Sequence, residues 1–139
     1  MIINLVGEKI FQKWTKKSKK EILSSRIKPI DLLMKGIKRS NEIGIRSFVS
    51  ASAIGIYQND FEKNYTEDET IDPQNFIQKT VYEWEKKSMS VRKLIPHTSI
   101  LRIGLVLSKK NGYLKETDYP MKFGIGIQLG SGKQWQSWI

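Results

Sequence analysis

Three short apolar runs interrupt an otherwise polar chain, and each meets a glycine. The first is Met1-Ile2-Ile3-Asn4-Leu5-Val6-Gly7-Glu8, the second Ser47-Phe48-Val49-Ser50-Ala51-Ser52-Ala53-Ile54-Gly55-Ile56-Tyr57, and the third Thr98-Ser99-Ile100-Leu101-Arg102-Ile103-Gly104-Leu105-Val106-Leu107. Strands of a parallel sheet are buried on both faces and read as runs of this kind. Long polar stretches with helical periodicity separate the runs, so the pattern predicts βαβ units: parallel strands near residues 1–6, 46–53 and 99–107 in an α/β fold. Ligands of such sheets bind just beyond the carboxyl ends of the strands. The hydroxyls and small residues that end the second run suit a ligand lying close against backbone, and they equally suit a buried strand followed by a tight turn.

Between the strands, helical patterning runs from about Thr15 to Ser25. Pro29 lacks an amide proton and disfavours a helical Lys28, which predicts a boundary or kink there. Asp31, Leu32, Leu33, Ile37 and Lys38 continue a helix toward Asn41, and Gly44 ends the connection. Residues 58–75 are polar and acidic, contain Pro73, and read as a surface loop. Asn75 then begins a helix whose apolar positions Phe76, Ile77, Thr80, Val81 and Trp84 fall at helical spacing, a pattern of core packing. Lys93 to Thr98 link this helix to the third strand, and Lys109-Lys110-Asn111-Gly112 makes a turn. The segment from Phe123 to Trp135 is glycine-rich, but it neither follows a sheet strand nor opens a helix, so it matches no phosphate-loop fingerprint. At Trp138-Ile139 a further strand begins.

Composition narrows the picture. The chain has 139 residues and no cysteine, which allows at most one domain and leaves neither a disulfide framework nor a thiolate metal site; the single His97 makes no zinc site by itself. A reducing, cytoplasmic setting fits this usage. No run approaches the ~18 apolar residues of a membrane span. The 24 Lys+Arg against 14 Asp+Glu give a net charge of +10, which raises a nucleic-acid partner. Yet Lys13, Lys16, Lys17, Lys19, Lys20, Arg26 and Lys28 surround helical apolar positions and lack the interleaved exposed aromatics of a single-strand platform. They read better as a solvated lysine-rich surface.

Several blocks occur together and in order: Ile3-Asn4-Leu5-Val6-Gly7-Glu8, Trp14-Thr15, Lys20-Glu21-Ile22-Leu23-Ser24-Ser25-Arg26, Ser50-Ala51-Ser52-Ala53-Ile54-Gly55, Trp84-Glu85, Leu101 through Leu107, and Leu129 through Ile139. In these the chain resembles the YfcH-type proteins, atypical extended short-chain dehydrogenase/reductases usually labelled as nucleoside-diphosphate-sugar epimerases. The resemblance implies a Rossmann-like, doubly wound parallel sheet of which only the central and later strands are present. It implies a partial NAD(P)-binding domain over residues 1–115 and the start of a substrate-binding region over 116–139. Family members begin with a strand and a glycine-rich pyrophosphate turn well before the segment matching Ile3-Asn4-Leu5 and continue past Trp138-Ile139. The chain is therefore expected to be truncated at both ends, and its hold on NADP or NAD to be weakened.

By the same resemblance, Leu5, Val6 and Gly7 lie under the cofactor, Glu21 and Arg26 reach its polar parts, and Ile103, Gly104 and Val106 line the nicotinamide side. Arginine suits a phosphate or ribose edge through its fork of donors, whereas Glu21 equally reads as a surface partner of a neighbouring lysine. Typical superfamily members combine a Ser or Thr with a Tyr-x-x-x-Lys pair that exchanges a proton while hydride moves. Ser52 falls at the serine position, but registering the later helix on Glu85 places Ile77 and Val81 where the tyrosine and lysine belong. Neither moves a proton, and Lys79 and Tyr82 have the wrong order and spacing. Ser52 is thus expected to bind a ligand in preference to catalysing. The leading expectation is a fragment of an NAD(P)-binding oxidoreductase or sugar-nucleotide-epimerase-like protein acting on an unknown small molecule. The alternatives are a non-catalytic NADP(H)-binding domain and, on charge alone, a nucleic-acid-binding protein.

Overall fold

The three apolar runs form three strands, β1 (Ile2–Asn4), β2 (Ser47–Ala53) and β3 (His97–Ile103), joined by α1 (Lys16–Arg39) and α2 (Phe76–Met89). The computed structural model describes residues 1–40, 44–108, 114, 118, 121–126, 128 and 131–139. The expected turn at Lys109-Lys110-Asn111-Gly112, the helix end at Asn41, and Ile127, Leu129 and Gly130 of the glycine-rich stretch lie outside these residues.

The strands lie side by side in the order β1-β2-β3, and both pairs are parallel, with Ile3 opposite Val49 and Val49 opposite Ser99. All three therefore end on one edge of the sheet, as two βαβ units require. Alternate residues of β2, namely Phe48, Ser50 and Ser52, are buried. They point toward both helices: Phe48 packs with Ile30 and Ile37 of α1 and with Trp84, Val91 and Ile95 of the second connection. The opposite sheet face carries Ile3 at 57% and Leu101 at 51% exposure, so the described residues hold one helical layer of a doubly wound arrangement.

The two predicted pieces of the first helix are one helix. Its N-cap is Thr15, whose hydroxyl accepts from the Ser18 amide at 3.1 Å, and it continues through Pro29 to Arg39. A proline inside a helix removes one hydrogen bond and crowds a carbonyl, at a cost of ~3 kcal/mol. Against that stand Ile22, Ile30 and Ile37, all buried on one stripe to either side of Pro29, each contributing roughly 1.5–3 kcal/mol by leaving water. Packing outweighs the local penalty, and of the expected boundary or kink the boundary is absent. The second helix starts as its sequence suggests: Asn75 and Gln78 form a reciprocal capping box, which satisfies two donors that a helix end otherwise leaves open.

The third strand is shorter than its apolar run. It leaves β2 after Ile103, and Leu105 pairs in parallel with Trp138 instead. The Leu105 amide donates to Ser137 O at 2.8 Å, that of Ile139 to Leu105 O at 2.9 Å and that of Leu107 to Ile139 O at 3.0 Å. The strand expected to begin at Trp138-Ile139 is this pairing. Gly104 makes it possible, since a Cβ there would stand 2.4 Å from Ser137 O.

Candidate functional site

Because the strands are parallel, the segments Leu5-Val6-Gly7, Ser52 to Gly55 and Ile103-Gly104 all emerge on the carboxyl edge of the sheet. Beyond β1, Leu5, Val6 and Gly7 are exposed. A buried polar chain holds the start of this segment: Ser88 Oγ donates to Ser50 Oγ at 3.1 Å, Asn4 Nδ2 donates to the same oxygen at 3.2 Å, and Asn4 Oδ1 accepts from the Val6 amide at 3.4 Å. A little further on, the Glu8 amide donates to Ser25 Oγ at 2.9 Å and Arg26 Nη2 to Glu8 O at 3.2 Å. The Ser25-Arg26 pair on α1 thereby clasps the turn that follows β1.

Arg26 occupies the space that a side chain at Gly7 would need, for a Cβ there would lie 3.0 Å from its Cζ. Its other face covers the Trp84 ring at 5.1 Å, and Nη1 donates to Ile22 O at 2.9 Å. Its hydrogen-bond partners are two carbonyls and the Ser25 hydroxyl; no carboxylate stands within ion-pair distance among the described residues. Burial makes this guanidinium easier to deprotonate than usual, an effect that the Glu8 carboxylate partly opposes. Trp84 Nε1, beneath it, is buried with no acceptor among the described residues. Glu21 lies on the exposed side of the same helix, 4.0 Å from Lys17.

At the ends of β2 and β3 a second cluster forms. The Arg102 fork grips Glu85 through Nε to Oε1 and Nη2 to Oε2, both 2.9 Å. Its remaining nitrogen, Nη1, donates to the Tyr57 hydroxyl at 2.7 Å and to Glu67 O at 3.2 Å. Glu85, and to a lesser degree Tyr57, raise the affinity of this guanidinium for its proton, outweighing its burial. Ser52 Oγ donates to Glu85 Oε1 at 2.5 Å and is itself buried. The serine proton is thus committed to a carboxylate. Ile77 stands beside this end of β2, its Cγ2 3.0 Å from where a Gly55 Cβ would be, and Val81 is buried below; Lys79 and Tyr82 face solvent. Of the expected nicotinamide-side residues, Ile103 and Gly104 flank the departure of β3 toward Ser137, and Val106 is exposed.

Sequence reasoning missed Tyr57, Glu85 as an ion-pair partner, and Arg102. Parallel register with strand alternation supplied a signal, since Arg102 sits opposite Ser52 on the buried face, where a lone charge needs a partner.

No family model matches the chain. It is 38% identical to the epimerase family protein YfhF of Bacillus subtilis over 137 residues, which are 99% of this chain and 45% of YfhF. Among solved structures it superposes on the human epimerase family protein SDR39U1 (isoform 2), determined with NADPH, with a TM-score of 0.84 at 28% identity, over 99% of this chain and 47% of that one. UDP-glucuronic acid 4-epimerase from Bacillus cereus, determined with UDP-glucuronic acid and NAD, superposes with a TM-score of 0.79 at 17% identity, over 99% of this chain and 44% of that one, and attests the fold alone. The chain is thus similar to epimerase family proteins of the atypical short-chain dehydrogenase/reductase type, and its fold is Rossmann-like. It spans just under half the length of these relatives.

Proposed function

We propose that this chain supplies the nicotinamide-side part of an NAD(P) site in an epimerase-like oxidoreductase, with residues 1–115 on the cofactor side and 116–139 opening the substrate side. The observation that carries this reading is Arg26: a half-buried guanidinium with no carboxylate of its own, seated beside Gly7 at the carboxyl edge of a parallel sheet. Such a cation suits a phosphate or ribose oxygen, and the NADPH-bound relative supports a nicotinamide dinucleotide as its source. Leu5, Val6 and Gly7 would lie along the dinucleotide, and Ile103, Gly104 and Val106 along its nicotinamide end. Glu21 enters by family resemblance only.

A nicotinamide dinucleotide supplies hydride transfer when bound. What the chain itself contributes is orientation, for the Ser52 hydroxyl donates its hydrogen bond to Glu85 and the neighbouring Ile77 and Val81 hold no transferable proton. That pair of aliphatic residues supports a second reading, in which NADP(H) is bound for sensing or structure without turnover. Fluorescence titration with NADPH and NADH tests the proposal, on this chain and on a version completed with the amino-terminal glycine-rich unit that the resemblance implies. Tight binding by the completed protein and weak binding by the chain is the expected result; no binding by either overturns it. Turnover of sugar nucleotides by the completed protein separates the two readings.

A further inference from the structure

We propose that Glu85 and Arg102 are a positioning pair that joins the orientation of the Ser52 hydroxyl and the placement of the acidic loop 58–72 into one cooperative unit. Neither side chain is exposed, at 13% and 19%, and every polar atom of the pair has an assigned use. Glu85 Oε1 takes both Arg102 Nε and Ser52 Oγ, Oε2 takes Nη2, and Nη1 reaches the loop through the Tyr57 hydroxyl and Glu67 O. Tyr57 extends the chain, donating to Thr66 O at 3.1 Å and stacking on Tyr65 with ring centroids 4.9 Å apart. An unbroken series of hydrogen bonds therefore runs from β2 through α2 and β3 into the loop.

Buried ion pairs contribute little net stability compared with an apolar replacement of the same shape, and specifying one arrangement is their best-supported role. Here the arrangement specified is a wall of Tyr65, Thr66 and Glu67 at a fixed height above the ends of β2 and β3. Lysine in place of Arg102 keeps the charge but not the fork, so it reaches one partner where the guanidinium reaches three. The proposal does not depend on dinucleotide binding, and its test needs no ligand.

Hydrogen exchange of residues 62–70 is compared in the parent chain and in R102K, E85Q, S52A, S52T, D31N and the double variant S52A/E85Q. Breaking a charge-assisted bond of the series should speed exchange of that segment about tenfold in R102K and E85Q and about threefold in S52A, with residues 47–51 unchanged. S52A should add nothing to E85Q, because the serine acts only through the carboxylate, and S52T, which keeps the hydroxyl, should keep the slow rate. D31N removes the Asp31–Lys87 pair that joins the two helices elsewhere and should leave the loop unmoved. Unchanged loop exchange in R102K and E85Q, additive effects of S52A and E85Q, or equal acceleration of residues 47–51 would each overturn the proposal.

Discussion

Two arginines stand at the carboxyl edge of this sheet, and they are solvated by the protein in opposite ways. Arg102 spends every donor nitrogen on Glu85, Tyr57 and Glu67. Arg26 has carbonyls, one hydroxyl and the face of Trp84, with no carboxylate in ion-pair contact among the described residues and the Glu8 carboxylate acting on it only from a distance. A guanidinium that is already neutralised has little to offer a ligand. One held in place without an anion is preorganised for one, since its side-chain entropy and part of its desolvation are met before binding. On the proposed reading, the difference gives Arg102 to architecture and Arg26 to recognition.

The largest effect should come from stranding the paired cation. Glu85→Ala leaves the Arg102 guanidinium mostly out of water without its carboxylate, and removing one partner of a buried pair costs about 3–5 kcal/mol. Urea denaturation of the variant beside the parent measures it. A loss below about 1 kcal/mol would show that water readily replaces Glu85, and the contrast between the two arginines would collapse.

Next in size is the converse experiment on Arg26. Arg26→Met keeps the packing against Trp84 and should change stability by less than about 1 kcal/mol. In a version extended by the glycine-rich unit that the resemblance implies, it should remove a charge-assisted bond worth about 1.5–3 kcal/mol, a ten- to hundredfold weaker Kd for NADPH. Titration and melting of the same variant give both numbers. Equal affinity in the variant would place the cofactor elsewhere on this edge.

What the sequence made legible follows the same division. The parallel strands, the Asn75 helix start and the acidic loop were readable because apolar period, cap residues and proline are local signals. The continuity of α1 through Pro29 was not, because the force that overrides the proline includes the burial of Ile30 and Ile37 against Phe48, Trp84, Val91 and Ile95 farther along the chain. Arg26 entered through family resemblance, but its lack of a carboxylate is visible only in three dimensions. Tyr57, Glu85 and Arg102 lie 28 and 17 residues apart in sequence and converge only through the register of β2 on β3. The early departure of β3 at Gly104 likewise depends on a partner more than thirty residues away.

The two glycines beside these arginines sharpen the comparison. A Cβ at Gly104 would meet the Ser137 carbonyl at 2.4 Å, where backbone must move, whereas at Gly7 it would meet the flexible end of Arg26 at 3.0 Å. Gly104→Ala should therefore cost about 1–3 kcal/mol, the usual range for overpacking, and expose the Leu105, Leu107 and Ile139 amides to exchange. Gly7→Ala should cost roughly 0.5 kcal/mol or less, yet shift Arg26 and so weaken NADPH binding in the completed protein. If Gly7→Ala proved the more destabilising of the two, Arg26 would have to be as rigidly fixed as Arg102.

The smallest effect concerns pH and the far end of the loop that Arg102 holds. Asp60 Oδ1 accepts from the amides of Glu62 at 2.9 Å and Lys63 at 3.1 Å, and these bonds, that of Glu62 first, keep its carboxyl below the usual carboxylate range. A depressed folded value means that the turn's contribution is complete above the unfolded value of about 3.9 and fades as pH falls through the folded one. Because Asp60 is fully exposed, the change stays local. Corrected for the intrinsic rate at each pH, the amides of Glu62 and Lys63 should lose protection as pH falls through the depressed folded value of Asp60, with no change in the protection of Glu67 and Asp68, which lie by the Arg102 anchor. Loss of protection at both ends together would mean that the turn at Asp60, and not the arginine, fixes the loop.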